Sequence, residues 1–157
     1  MFDPTTLTGI HTYISLFAIA AGIAVVAGLL RGLDRPTTAA TFLALAFLTS
    51  ATGFLFPFNG VLPSHVVGAV AILVLLPAIF ARYGAGLRGR WHGIYAGTAV
   101  ASLYFLVFVA VAQAFAKVPA LQALAPTPGA PAFAVAQGLV LLVFIGLGIA
   151  AVRARPA

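Results

Sequence analysis

The sequence predicts an all-α polytopic transmembrane helix bundle, and its composition and hydropathy are the observations that predict it. Hydrophobic residues make up 63% of the 157 residues and charged residues only 6%. A soluble domain carries about 25% charged residues, because its surface faces water. The mean hydropathy is +1.17. We therefore expect lipid to solvate most of the chain, and we expect residues 1–157 to form one integral membrane domain.

Five apolar runs, separated by turn and charge signals, predict five spanning helices. Each run approaches or exceeds the ~20 residues that cross a hydrocarbon core of ~30 Å. The runs end, in order, at the Arg-, Gly- and Pro-bearing segments 31–36, 57–60, 82–84, 117–119 and 153–156. The Pro-rich stretch 117–131 predicts a cap outside the membrane. The predicted helices cover residues 9–30, 37–56, 63–82, 91–116 and 132–153.

The cations predict the orientation of the bundle. Seven of the eight Lys and Arg residues follow helices 1, 3 and 5, and only Lys117 lies on the opposite side. The positive-inside rule makes the Arg-rich side cytoplasmic, so an odd helix count predicts an N-terminus outside and a cytoplasmic C-terminus. Residues 1–8 contain Asp3 and no cation, which is unlike a cleavable signal peptide. The net charge of +6 thus predicts the lipid bilayer, and no nucleic acid, as a partner.

Polar side chains within the apolar runs are costly, so their positions are informative. On helix 4, five of them fall within an arc of about 100° at 100° per residue, and Tyr104 falls on the opposite face. We expect this stripe to face the bundle and to form hydrogen bonds between helices. The stripe consists of Tyr95, Thr98, Ser102, Gln113 and Lys117.

A second set of polar residues, from four helices, shares one depth near the predicted outer ends. Neutral histidine and glutamine side chains near hydrocarbon satisfy their donors and acceptors most cheaply by converging. We expect the histidines of helices 1 and 3 to approach each other, and Thr52 of helix 2 to join them. His92, beside Trp91 at the other end, is predicted to be an interfacial anchor. The candidate ligand-binding residues are His11, His65, Gln113, Lys117 and Gln137.

Several chemistries are excluded by what the sequence lacks. There is no cysteine, and the only two acids, Asp3 and Asp34, lie outside the apolar runs. Thiolate metal sites, paired-carboxylate hydrolysis and proton-coupled transport through a buried acid are therefore not expected. No phosphate-binding loop or nucleophile motif is present, so no catalytic residue is predicted and enzyme status stays open.

Three functions remain open. The first is a cofactor or small-ligand site: a b-type haem with His11 and His65 as axial metal ligands and Lys117 near a propionate, or a quinone head group held by His and Gln. The second is a small transporter or channel along the helix 4 stripe, including a passive pore formed by a homo-oligomer. The third is an accessory subunit of a larger membrane complex.

Three stretches of the chain carry a resemblance. Residues 52–58 (TGFLFPF), 63–68 (PSHVVG) and 113–121 (QAFAKVPAL) resemble a group of small, uncharacterised bacterial inner-membrane proteins with about five transmembrane helices. The likeness runs from His11 to Gln137. It implies a bacterial inner-membrane location and brings no catalytic residues with it.

Overall fold

The computed structural model describes residues 3–56, 63–127 and 129–154, and this part of the chain is helical without any strand. The predicted turn at 57–60, together with Pro128 and Arg155, lies outside the described residues. Helix α2 ends three residues before the predicted boundary, and the predicted cap contains the short helix α5. The helices are α1 Leu7–Leu30, α2 Pro36–Gly53, α3 Pro63–Ile79, α4 Arg90–Lys117, α5 Pro119–Leu124 and α6 Pro131–Arg153; a π-helical turn, Phe80–Gly84, continues α3.

Local sequence explains how the helices begin and turn. The Thr6 hydroxyl accepts a hydrogen bond from the Gly9 N–H at 3.0 Å and caps α1. Helices α2, α5 and α6 each begin with proline, whose missing N–H costs nothing in a first turn. Between the π-helical turn and α4 the chain adopts positive φ at Gly86, Leu87 and Gly89, which reverses its direction within a few residues.

Within the described residues, four helical segments are long and apolar enough to cross a membrane: Leu7–Leu30, His65–Gly84, Arg90–Lys117 and Pro131–Arg153. These spans indicate a multi-pass membrane protein. Helix α2 is not among them. It has 18 residues, six of which carry a hydroxyl group, and it is about 27 Å long at 1.5 Å per residue.

Helix α4 is at the centre of the bundle. It packs against α1, α3 and α6, while α2 packs along both α1 and α3. The fully buried side chains Phe42, Leu75 and Leu103 come from α2, α3 and α4, and small residues such as Ala18 and Ala99 fill the space between the helices. Many large apolar side chains on α1, α3 and α6 are exposed, as expected of surfaces that face lipid.

The arginine-bearing connections meet at one end of the bundle, which we call the arginine end. The Arg82 guanidinium donates to both carboxylate oxygens of Asp34, at 3.0 and 3.3 Å, and lies 5.3 Å from the centre of the Tyr95 ring. The Arg82 side chain is only 7% exposed, so this contact fixes the α1–α2 connection against α3 and α4. Val152 of α6 lies beside Gly93 of α4, which brings the end of α6 to the same place. The opposite end carries His11, Thr52 and His65, and we call it the histidine end.

Gly22 lies where α1, α2 and α4 approach one another closely. A Cβ atom placed there would lie 2.7 Å from Leu103 Cδ1 and 2.8 Å from Phe42 Cε2. Both neighbours are buried in the core, so neither can move without displacing others. The absence of a side chain at Gly22 therefore sets the spacing of α1, α2 and α4.

Replacing Gly22 with alanine is expected to destabilise the fold by about 1–3 kcal/mol, the usual cost of overpacking a core. Gly146→Ala is the matched control, because a Cβ at Gly146 meets nothing within 4 Å. Both changes replace a helical glycine with alanine and gain the same helix propensity. The difference between their free energies of unfolding therefore reports the packing at Gly22. The measurement is the free energy of unfolding in mixed detergent micelles. Equal stability of the two variants would contradict close packing at Gly22.

Candidate ligand site at the histidine end

The best-defined polar contact at the histidine end joins α1 to α2. His11 Nδ1 lies 2.9 Å from Thr52 Oγ1. The Thr52 hydroxyl also lies 2.7 Å from the Leu48 carbonyl oxygen, and a carbonyl only accepts. The single hydroxyl proton therefore goes to Leu48, and Thr52 accepts the proton of His11 Nδ1–H. In the neutral ring this leaves Nε2 as a hydrogen-bond acceptor.

The surroundings of His11 hold its ring in place while leaving it half-buried. Phe56 packs edge-on, with ring centroids 5.3 Å apart and planes at 80°. Gly53 also lies beside the ring, since a Cβ atom placed on Gly53 would be 3.8 Å from His11 Cε1. Lys117, the last residue of α4, is exposed. An oriented acceptor thus lies at the histidine end.

The second histidine is in a different setting. His65, in the first turn of α3, is 6% exposed. Its ring stacks on Phe54, with centroids 5.9 Å apart and planes at 25°. A Cβ at Gly68, one turn further along α3, would lie 3.4 Å from the Phe54 ring. The end of α2 is therefore packed against α3 through Phe54.

The predicted convergence of the polar residues occurs only in part. Thr52 joins His11 as expected. The two histidines instead contact different residues of the α2 end, because α2 packs between α1 and α3. Gln137 is buried, but its Nε2 donates to the Phe108 carbonyl at 3.0 Å. A main-chain carbonyl of the adjacent helix therefore accepts from the amide that was expected to reach the histidines, while the buried Oε1 of Gln137 has no hydrogen-bond partner among the described residues.

The polar stripe predicted on α4 is buried in its first half and exposed in its second. The expected hydrogen bonds between helices are not formed by Thr98, which donates to Ile94 of its own helix, or by Ser102, whose hydroxyl has no partner among the described residues. Tyr95 and Ser102 are buried, whereas Gln113 is exposed.

Tyr104, expected on the opposite face, packs 5.7 Å from the Phe144 ring of α6. Leu106 is the last buried residue of α4. Beyond it the helix still contacts α6, through Phe108 and Phe115, but the side of α4 that carries Gln113 is exposed.

Sequence reasoning missed the aromatic residues that hold the two imidazoles, and it missed the Arg82–Asp34 pair. Phe54 and Phe56 lie at or just beyond the end of α2, where helical spacing cannot predict their directions. Asp34 and Arg82 are 48 residues apart, and only the antiparallel packing brings them together. One signal of this pair was present in the sequence: the positive-inside pattern predicts that Asp34 and Arg82 lie on the same side of the membrane.

The described residues contain no group of three or more His, Cys, Asp or Glu side chains that could hold a metal ion. No protein-family model, curated protein or solved structure matches the chain. The function of the histidine end is therefore inferred from the positions of its own residues.

The hydrogen bonds of Thr52 predict which nitrogen of His11 carries the proton. We expect the ¹⁵N chemical shifts of the neutral ring to report the Nδ1–H form. Thr52→Val should remove this preference and cost about 1 kcal/mol of stability, the usual net value of one hydrogen bond. Thr98→Val is the control, because Thr98 donates to Ile94 of its own helix at 2.6 Å. An Nε2–H ring in the unaltered protein would refute the assignment.

Proposed function

We propose that the protein binds a hydroxyl-bearing ring, the head group of a quinol, at the histidine end. The observation that supports this is the Thr52–His11 bond, which directs an acceptor nitrogen, Nε2, away from Thr52. A phenolic hydroxyl is a donor and complements that nitrogen. The Lys117 ammonium supplies the opposite polarity and can donate to an oxygen of the same head group.

The location suits such a ligand. His11 lies about one turn into α1, so its depth corresponds to the boundary between hydrocarbon and lipid head groups. Phe56 provides an aromatic edge beside the imidazole. Ligand sites in proteins commonly combine apolar and aromatic walls with a few polar groups that fix orientation.

A haem held by both histidines is not part of this proposal. Two axial imidazoles must face one iron from opposite sides of the porphyrin plane. Here His11 and His65 pack against different aromatic residues of the α2 end, and a haem between them would have to displace that end. His11 keeps the arrangement of a metal-binding imidazole, with its other nitrogen hydrogen-bonded, but it has no facing partner of its own.

We further propose a bacterial inner-membrane location with five crossings, the N-terminus outside and the arginine end cytoplasmic. The clustering of Arg82 with the α1–α2 connection and of α6 with the start of α4 supports one cation-rich side. Helix α2 packs along α1 and α3, which is the arrangement of a helix that crosses beside them. The resemblance to bacterial inner-membrane proteins supports the choice of membrane.

Reporter fusions test this topology. Fusions at the N-terminus, within residues 57–62 and at Pro126 should all report the periplasm, and a fusion at Gly86 should report the cytoplasm. The physical reason is the retention of Arg-rich loops on the cytoplasmic side. A cytoplasmic signal at 57–62 would contradict a crossing by α2.

Ligand binding is tested with duroquinol, a quinol without a chain, and its oxidised form duroquinone. The detergent-purified protein should bind duroquinol about tenfold more tightly, because the quinone has no hydroxyl to donate to Nε2; one hydrogen bond of about 1.4 kcal/mol gives that factor. His11→Gln should abolish the preference, since its flexible amide has no oriented acceptor. His92→Gln, at the arginine end, should keep it. The measurement is the affinity of each ligand for each variant by equilibrium dialysis, with the ligand-dependent ¹⁵N shift of His11 recorded in the unaltered protein.

Two results would count against the proposal in different ways. Equal binding of duroquinol and duroquinone would show that Nε2 does not act as the acceptor. Failure of both to bind the unaltered protein would exclude a quinone-class head group. Visible absorption of the same preparation would reveal a haem directly.

A further inference from the structure

A cleft of about 360 Å³, which we call the α4–α6 cleft, opens between these two helices at the arginine end. Its lining includes Gly97 of α4 together with Gly148, Val152 and Arg153 of α6. The helices meet beside it through small residues, because Cβ atoms placed on Gly93 and Gly97 would lie only 3.6 and 3.5 Å from the Val152 methyl groups. Since the glycines have no side chains, the space next to this contact stays open at the surface of the bundle, where Val152 is exposed.

The cleft is cationic at the end of the helices and apolar further in. Arg153 is exposed in the last turn of α6, and Gly148 precedes it by five residues, about 7.5 Å along the helix. On α4, the exposed Arg90 shares a face with Gly93 and Gly97, which follow it by three and seven residues. The arginines therefore lie at the depth of lipid head groups, and the glycine-lined space lies at hydrocarbon depth.

The arginines of the cleft have no carboxylate partner among the described residues. At the arginine end the acidic side chain is that of Asp34, and its two oxygens accept hydrogen bonds from Arg82. The other acid of the chain, Asp3, lies before α1 and accepts from Thr5 at the histidine end. An anion that complements Arg153 and Arg90 must then come from outside this part of the chain.

We propose that the α4–α6 cleft binds an anionic phospholipid, with its phosphate at Arg153 and one acyl chain beside Gly97 and Gly148. The order of cation and apolar space along the cleft matches the order of phosphate and chain in this ligand. The site is at the opposite end of the bundle from His11, and it does not depend on the binding of a quinol.

Charge explains why this ligand is selected from the surrounding lipid. An acyl chain gains no hydrophobic free energy when it moves from lipid into an apolar cleft, because lipid tails are equally apolar. The phosphate supplies the attraction, since each Lys or Arg near the membrane surface favours anionic lipid. A second copy is disfavoured as the occupant, because a two-fold contact places the same patch of both subunits face to face and would bring like-charged arginines together.

The first test measures the affinity for one bound lipid by native mass spectrometry of the detergent-solubilised protein. Phosphatidylglycerol should bind about tenfold more tightly than phosphatidylcholine with the same acyl chains, whose choline offsets the phosphate charge. Arg153→Gln should weaken phosphatidylglycerol binding about fivefold, the value of one cation at an anionic surface. Arg31→Gln is the matched control, because Arg31 is exposed at the same end but does not line the cleft, and it should leave the affinity unchanged.

A second pair of variants tests the place of the acyl chain. A Cβ at Gly148 would make an ordinary contact of 3.8 Å with Val100 Cγ1, so Gly148→Leu should fill the cleft without separating α4 from α6. It should lower the affinity for phosphatidylglycerol about fivefold, because the displaced chain loses its packing contacts. Gly146→Leu is the control, since a side chain there enters open space, and it should bind as the unaltered protein does. Thermal unfolding of both variants checks that the helices remain packed.

Glycerol 3-phosphate, which has the phosphate but no acyl chains, distinguishes a lipid from a soluble anion. An excess of it should not displace phosphatidylglycerol, and displacement would assign Arg153 to a soluble phosphate. Equal affinity for the two lipids would refute selection by charge. Equal binding by Gly148→Leu and Gly146→Leu would show that no chain occupies the cleft. A dimer that binds no lipid would show that a second copy covers it.

Discussion

The close approach of α1 to Phe42 and Leu103 at Gly22 is the constraint on which the rest of the bundle depends. His11 precedes Gly22 by 11 residues, about three turns, so the two lie on nearly the same face of α1. Because α1 is one continuous helix, the distance between α1 and α2 that is set at Gly22 also determines their distance at the first turns of α1. There it brings the imidazole to 2.9 Å from the Thr52 hydroxyl. Packing in the apolar core and hydrogen bonding at the site are parts of one geometry.

Much of this fold could be predicted from the sequence, because lipid imposes simple rules. Apolar runs long enough to span a bilayer mark the helices, and prolines and arginines mark their ends. The resulting all-helical architecture is confirmed. Helix α2 shows where the rules weaken, since it carries six hydroxyl side chains and is not among the segments apolar enough to cross a membrane. Its fit in the bundle comes from packing against α1 and α3, which hydropathy does not measure.

The candidate site could be predicted only in part, because depth along a helix does not determine direction around it. His11, His65 and Gln137 were placed at one depth, yet α2 packs between the first two, and the third bonds to a main-chain carbonyl. Gln113 shares a face with Ser102, but at Gln113 that face is exposed although α4 still contacts α6 through Phe115. Thr52 was the useful clue, because a threonine bonded to its own helix can still accept from another side chain.

The lengths of the helices have a consequence for the membrane around the protein. Helix α4 is about 42 Å long and α2 about 27 Å, at 1.5 Å per residue, and the hydrocarbon core is about 30 Å thick. If α2 crosses as proposed, the bilayer must thin by roughly 3 Å beside it, the familiar response to hydrophobic mismatch. The head-group layer is then drawn inward along the flank of the bundle that α2 forms. Such local thinning would shorten the path from the lipid surface to His11 and would favour partitioning of the protein into thinner membrane regions.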